Sequence, residues 1–288
     1  MLDFHIYDVF TDTPFTGNPL AIVEGADGLS TAQMQTIARQ FNLSETIFVQ
    51  TPDDPAHTAK VRIFFPTAEI PFAGHPTIGC ALHMAGNASE VILEEVAGLV
   101  PVTIAGGMAE FTAPKLPRAL PSAPDRATLA AALGLADEDL APTPFGNFEG
   151  GPSFLYVEVT SLESLAKITI QEPAFTQTRQ TAGDTGAIYA YVLTGPDSIQ
   201  ARMFDPPAGI AEDPATGSAT ALLAGQLHAN GALPASGTTT FHLKQGVEMG
   251  RPSDLRLTVD TDGAQITAIR VAGQAVKIAQ GQIRVPPS

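Results

Sequence analysis

Two stretches of this chain set a polar side chain directly before a proline that opens an apolar run. One is His75-Pro76-Thr77-Ile78-Gly79-Cys80-Ala81, the other Asp213-Pro214-Ala215-Thr216-Gly217-Ser218-Ala219. Proline is well tolerated at the first helical position, where the N–H has no intrahelical partner. The spacing therefore predicts helices opening at Pro76 and Pro214, with His75 and Asp213 as N-caps. The next backbone N–H groups are unpaired and carry the positive end of the helix dipole, about half an elementary charge. Two such ends facing each other would hold a carboxylate, with the nearby Gly, Thr and Ser residues allowing close approach and further hydrogen bonds. Taken singly, each residue also has a plainer reading. Asp213 is an ordinary cap worth about 1 kcal/mol, and His75 a packed loop histidine. Ser218 is a hydroxyl bonded to a carbonyl one turn away, and a Glu beside a strand, such as Glu45, is usually a solvated face.

The two stretches belong to a longer repetition. Arg62-Ile63-Phe64-Phe65-Pro66 returns 140 residues later as Arg202-Met203-Phe204-Asp205-Pro206, and His75-Pro76 returns 138 later as Asp213-Pro214. Solenoid repeats run about 20–50 residues, so a period this long points to duplicated domains. In each copy a β-prone segment passes through a Pro-containing loop into a helix that is apolar nearly all round, and such a helix belongs in the interior. Gly79, Ala81, Gly217 and Ala219 allow neighbouring strands to approach it. Each half thus reads as a sheet around one buried helix, with an active site between the halves that is asymmetric wherever the copies differ.

Composition sets limits on partners. At 288 residues and 44% hydrophobic content, two domains with real cores are expected. The formal net charge of −15 repels nucleic acid and anionic membrane surfaces alike, though a local positive potential could still admit a small anion. Cys80 is the single cysteine, which excludes an internal disulfide and any multi-cysteine metal site. The N-terminal residues lack the pattern of a signal peptide, and no apolar run approaches the roughly 20 residues that span a bilayer. A soluble, cytoplasmic protein is expected.

The elements that must position these residues follow from local signals. Ser30-Thr31-Ala32-Gln33 has the form of a capping box, predicting a helix over 31–41. Strands are expected at 4–10, 46–49, 60–65, 90–95 and 99–104, then at 154–159, 188–193, 200–204, 255–260, 265–271 and 276–284. Four prolines between Pro114 and Pro124 mark an inter-domain linker. A helix near 125–134 follows, then a Gly-rich loop from Gly146 to Gly151. The loops 145–153 and 175–186 are expected to wall the cleft.

These motifs resemble, in type and order, the PhzF-like phenazine-biosynthesis family of the diaminopimelate epimerase-like superfamily. The matching stretches are Val9-Phe10-Thr11, Phe15-Thr16-Gly17-Asn18-Pro19, Asn42-Leu43-Ser44-Glu45-Thr46 and Phe72-Ala73-Gly74-His75-Pro76-Thr77-Ile78-Gly79. Glu212-Asp213-Pro214-Ala215-Thr216-Gly217-Ser218-Ala219 and Gly250-Arg251-Pro252-Ser253 complete the set. The resemblance implies an α+β fold of two pseudo-symmetric domains, each a curved, mostly antiparallel sheet wrapped around a central buried helix. Residues 1–116 would form the first domain and 117–271 the second, with strands at about 272–288 returning to the first. By similarity Glu45 is the proton-shuttling acid/base, with His75, Asp213 and Ser218 completing the catalytic set. Asn18, Gly74 and Gly217 would hold the substrate. The family also implies no metal, no organic cofactor and a homodimer. Related racemases and epimerases oppose two cysteines across this fold; here the corresponding positions look like Gly74 and Asp213, and Cys80, inside the helix, reads as core.

A single carboxylate suits an isomerisation in which one proton leaves a carbon next to an activating group and returns to another carbon of the conjugated system. Asp213 and His75 are expected to pair and orient an amine or hydroxyl of a small cyclic or amino-substituted carboxylic acid. Three other classes stand against it: a small-acid binding protein without turnover, a Ser-His-Asp hydrolase built from Ser218, His75 and Asp213, and a metal enzyme using His75, Asp213 and Glu45, for which no His-x-x-x-His or similar spacing exists. The second lacks a Gly-x-Ser-x-Gly elbow.

Overall fold

The structure is a computed structural model that describes residues 1–121, 124–183 and 187–287. The chain folds into two compact units. One comprises residues 1–112, 251–254 and 271 onward; the other comprises 113–250 and 255–270.

In the first unit, β1 (Leu2–Val9), β2 (Asn18–Val23), α1 (Thr31–Phe41), β3 (Glu45–Gln50), β4 (Ala59–Phe64) and β5 (Glu69–Ile70) precede α2 (Gly74–Met84). After it come β6 (Glu90–Glu95), β7 (Gly98–Ala105) and β8 (Met108–Thr112). β1 and β2 are antiparallel, β2 and β3 parallel, β3, β4 and β5 antiparallel in turn, and β4 runs parallel to β6. The predicted capping box is present: Gln33 N–H donates to Ser30 Oγ, and Ser30 N–H to Gln33 Oε1 at 2.9 Å. Every residue of α2 from Gly74 to Cys80 is buried, and the helix packs on β1, β2, β3, β6, β7 and β8. A Cβ on Gly79 would come within 2.5 Å of Leu20 Cδ2 and 2.8 Å of Val9 Cγ2, so only glycine lets β1 and β2 lie this close to the helix. Cys80 is a buried core thiol, and its burial pushes the thiol pKa up.

The second unit repeats this plan. It begins with β9 (Arg118–Ala119) and α3 (Arg126–Leu133), then β10 (Gly146–Glu149), β11 (Ser153–Glu158), α4 (Leu162–Lys167), α5 (Ala174–Thr181), β12 (Ala187–Leu193), β13 (Ser198–Asp205) and β14 (Ile210–Asp213). α6 (Gly217–Ala229), β15 (Gly237–Gln245), β16 (Ser253–Asp262) and β17 (Gln265–Gly273) follow, and β18 (Ala275–Ile283) belongs again to the first unit, where it pairs antiparallel with β1. Antiparallel β10 and β11, parallel β11 and β12, antiparallel β12, β13 and β14, and parallel β13 and β15 reproduce the pairings of β1 to β6. The chain is therefore α+β, as its motifs imply. Buried Tyr156, Tyr189 and Tyr191 pack in this core, and Tyr156 O–H donates to the Ala219 carbonyl at 2.6 Å.

Three local expectations are corrected. The Pro114–Pro124 stretch is more than a linker: Arg118 and Ala119 pair with Glu149 and Phe148, and Leu120 N–H donates to the Asn147 carbonyl at 2.8 Å. Pro117 and Pro121 lack donors, but the residues between them keep theirs. Ser122 and Ala123 lie outside the described residues, as do 184–186 of the proposed cleft loop, whose residues 175–181 belong to α5. Gly146 to Glu149 is a strand and not a loop; a Cβ on Gly146 would strike Gln226 of α6, and one on Gly150 would lie 2.5 Å from Leu222 Cδ2. Those glycines serve close packing instead of turning. β15, with its Thr-rich start, escaped the sequence reading.

Candidate active site

Glu45 opens β3, and the parallel register with β2 places it opposite Leu20, two residues beyond buried Asn18. The chain then turns into α2, whose N-cap is Ala73, in extended conformation. The predicted cap, His75, is instead the second residue of the helix. Pro76 is the third, where its missing N–H costs nothing because the first-turn donors have no partner inside the helix. Advancing the helix start carries the imidazole to Glu45: His75 Nδ1 lies 2.7 Å from Glu45 Oε2, with side-chain exposures of 3% and 12%. His75 Nε2 is buried and has no hydrogen-bond partner among the described residues. A buried polar nitrogen left this way costs about 1–3 kcal/mol.

In the second unit Asp213 ends β14 and is not the cap of α6, which is Thr216. Pro214 lies wholly outside the helix. Asp213 is buried and accepts from the Thr216 hydroxyl at 2.5 Å. Gln245 of β15 holds the cap residue in place: its Oε1 accepts from Thr216 N–H at 3.2 Å, and its Nε2 donates to the Asp213 carbonyl at 2.8 Å. Within its own unit Glu45 pairs with His75, and Thr216 with Asp213. Gly217 and Ser218 are the first two residues of α6, and the Ser218 hydroxyl has no hydrogen-bond partner among the described residues.

These helix starts reset the internal repeat. Glu69-Ile70-Pro71-Phe72-Ala73-Gly74-His75-Pro76-Thr77 matches Glu212-Asp213-Pro214-Ala215-Thr216-Gly217-Ser218-Ala219-Thr220 without a gap, 143 residues apart. The preceding strands confirm the register. Arg62 forks onto Glu69 at 2.7 and 2.6 Å, and Arg202 onto Glu212 at 2.8 and 2.8 Å. The sequence offset of 138 was misled by two proline motifs with different places in the fold. Gly74 therefore matches Gly217, His75 matches Ser218, and Asp213 matches Ile70. Strand pairing likewise matches Glu45 with Ala187, so the acid belongs to one copy only.

One further contributor was legible as a motif but not as a role. Arg251 Nη2 contacts Asp8 Oδ1 at 2.5 Å and the Thr16 carbonyl at 2.8 Å, while its Nε donates to the Gly17 carbonyl at 2.8 Å. Asp8 Oδ2 in turn accepts from Phe15 N–H at 2.7 Å. The loop leading to Asn18 is therefore clamped, and Gly17 at φ +68° is needed there, since a Cβ would strike the Val9 carbonyl.

Comparison with known proteins identifies the family. The family model for phenazine biosynthesis-like proteins (PhzC-PhzF) matches residues 7–281. An uncharacterized isomerase of Mesorhizobium japonicum is 37% identical over 98% of both chains. A trans-2,3-dihydro-3-hydroxyanthranilate isomerase of Pseudomonas fluorescens is 33% identical over 98% of this chain and 99% of its own. The crystal structure of a PhzF-family phenazine biosynthesis protein of Bacillus anthracis superposes with a TM-score of 0.88 over 99% of both chains, at 24% identity. Fold and relatives together define an isomerase. The chain belongs to the PhzF-like phenazine-biosynthesis family. Among the described residues, no helix is long and apolar enough to cross a membrane.

Proposed function

We propose that this isomerase moves a proton by means of a single carboxylate, Glu45, on a small cyclic, amino-substituted carboxylic acid. The observation that carries this reading is the Glu45–His75 pair with its unpartnered Nε2. With Glu45 ionised, His75 Nδ1–H donates to Oε2, which leaves Glu45 Oε1 to act as base. The tautomer then makes Nε2 an acceptor, and a substrate amine or hydroxyl would satisfy it. Proton removal next to an activating group gives protonated Glu45, which returns the proton to another carbon of the same conjugated system. Atoms balance with no external oxidant or reductant. The relative from Pseudomonas fluorescens supplies the substrate class by name.

From the resemblance we assign Asn18, Gly74 and Gly217 to substrate holding, and Asp213 and Ser218 to the catalytic set. A family-like homodimer is part of the same proposal. The N–H groups of Gly74 and His75 in one copy, and of Gly217 and Ser218 in the other, are first-turn donors suited to a carboxylate.

The test is proton NMR in D2O with trans-2,3-dihydro-3-hydroxyanthranilate and related cyclic amino acids. Wild type should convert substrate with deuterium entering at one carbon. Glu45→Gln should lower the rate by about 10²- to 10⁴-fold with an unchanged circular dichroism spectrum. Turnover that survives the substitution would remove Glu45 from the mechanism.

A further inference from the structure

At the other end of α2 from His75, three side chains from separate elements converge on one point. His5 Nε2 of β1 and His83 Nε2 of α2 each lie 2.8 Å from the same oxygen, Glu24 Oε1, just beyond β2. The two imidazole rings lie 4.5 Å apart. The three ligand atoms fall within 4.8 Å of one another, and all three residues are partly buried. The groups used in the proposed proton transfer are not among them: eight residues of helix separate His75 from His83, about 12 Å.

We propose that His5, Glu24 and His83 bind one divalent transition-metal ion of the zinc class. Two imidazoles and a carboxylate form a standard ligand set for such an ion, and the fourth position is left to water or another small ligand. With bonds of about 2.0–2.1 Å, a tetrahedral ion needs ligand atoms roughly 3.3 Å apart. The observed 2.8 Å contacts therefore have to open by only a few tenths of an ångström. The ion would take the place of the protons that now bridge each Nε2 to the carboxylate.

A further observation supports the site. Tyr7 O–H lies 3.0 Å from His83 Nδ1, the atom that outer-shell partners engage in histidine–metal sites to fix the ring. Access exists as well: Glu24 and His83 line a groove of about 560 Å³ together with Asp27, Thr51 and Thr58. Among the described residues this is the cluster of three or more ligand-type side chains. An ion here would tie β1, the end of β2 and the C-terminal end of α2 together.

The experiment uses the full chain, stripped with EDTA and dialysed, and titrated with Zn²⁺ against a chromophoric chelator. We expect one Zn²⁺ per chain, bound in the micromolar range or tighter, and a rise in melting temperature on saturation. His5→Gln and His83→Gln should each weaken binding at least 30-fold and abolish the thermal shift. His57→Gln should change neither, although His57 also pairs with a carboxylate, Glu94, at 2.7 Å. Co²⁺ should give visible d–d bands with no thiolate charge transfer, because Cys80 is buried in the core. If either histidine variant fails to fold, Glu24→Gln provides the same readout. The absence of saturable binding, or equal binding by wild type and the His5 and His83 variants, would overturn the site.

Discussion

Glu95 ends β6 deep in the first unit, 8% exposed, and burial pushes its pKa from 4.5 up to about 8. The Thr77 contact pulls the other way, but by less than burial. Thr77 Oγ1 lies 2.7 Å from both the Ala73 carbonyl and Glu95 Oε1, yet a hydroxyl carries one proton. The carbonyl can only accept, so the single Thr77 proton is shared between it and Glu95, and a neutral Glu95 can donate in return. The consequence for stability has a definite sign. Between pH 4.5 and about 8 the folded state holds a proton that the unfolded state has lost, so stability falls as pH rises through that window. Each pH unit there is worth about 1.36 kcal/mol, which amounts to about 4–5 kcal/mol across it. Glu95→Gln keeps the shape without the ionisation and should escape this loss. Because the chain has no tryptophan, urea unfolding is best followed by circular dichroism, at pH 5, 6, 7, 8 and 9 for both proteins. The stability of Glu95→Gln relative to wild type should climb steadily from pH 5 to about 8 and then level off. A difference that stays constant from pH 5 to 9 would show that Glu95 titrates normally and refute the reasoning.

Two other outcomes follow from paired charges. Arg62→Ala should cost about 1 kcal/mol in urea unfolding, because its bidentate pair with Glu69 is partly solvated, with exposures of 21% and 27%. Arg202→Ala should cost about 3–5 kcal/mol, because Arg202 is buried and its loss strands half-buried Glu212 and the carbonyls of Leu165 and Ile168. Equal costs would mean that burial does not distinguish the two copies. Arg251→Lys should lose about 2–3 kcal/mol and raise protease cleavage in the loop 10–17, since an ammonium cannot reach Asp8, Thr16 and Gly17 together. Unchanged loop cleavage would remove Arg251 as its clamp.

Much of this protein is determined by local signals. The capping box at Ser30–Gln33, the strand at 90–95 and the two apolar helices follow from propensity and periodicity, which act over a few residues. Duplication was visible too, and so was the family, because its motifs run along the chain. Tertiary structure decided what proximity along the chain cannot. Proline tolerates several first-turn positions about equally, so sequence could not say whether Pro76 or Gly74 opens α2; packing around Gly79 and the Thr77–Ala73 bond settled it. That shift brought His75 to Glu45, residues 30 positions apart on different elements. It also shifted the repeat from 138 to 143 residues and gave Asp213 the partner Thr216. Gln245 as the partner of Thr216, and His5, Glu24 and His83 as neighbours, have no short-range signature at all. Their meeting depends on strand pairing and helix packing, which are long-range and come only with the folded chain.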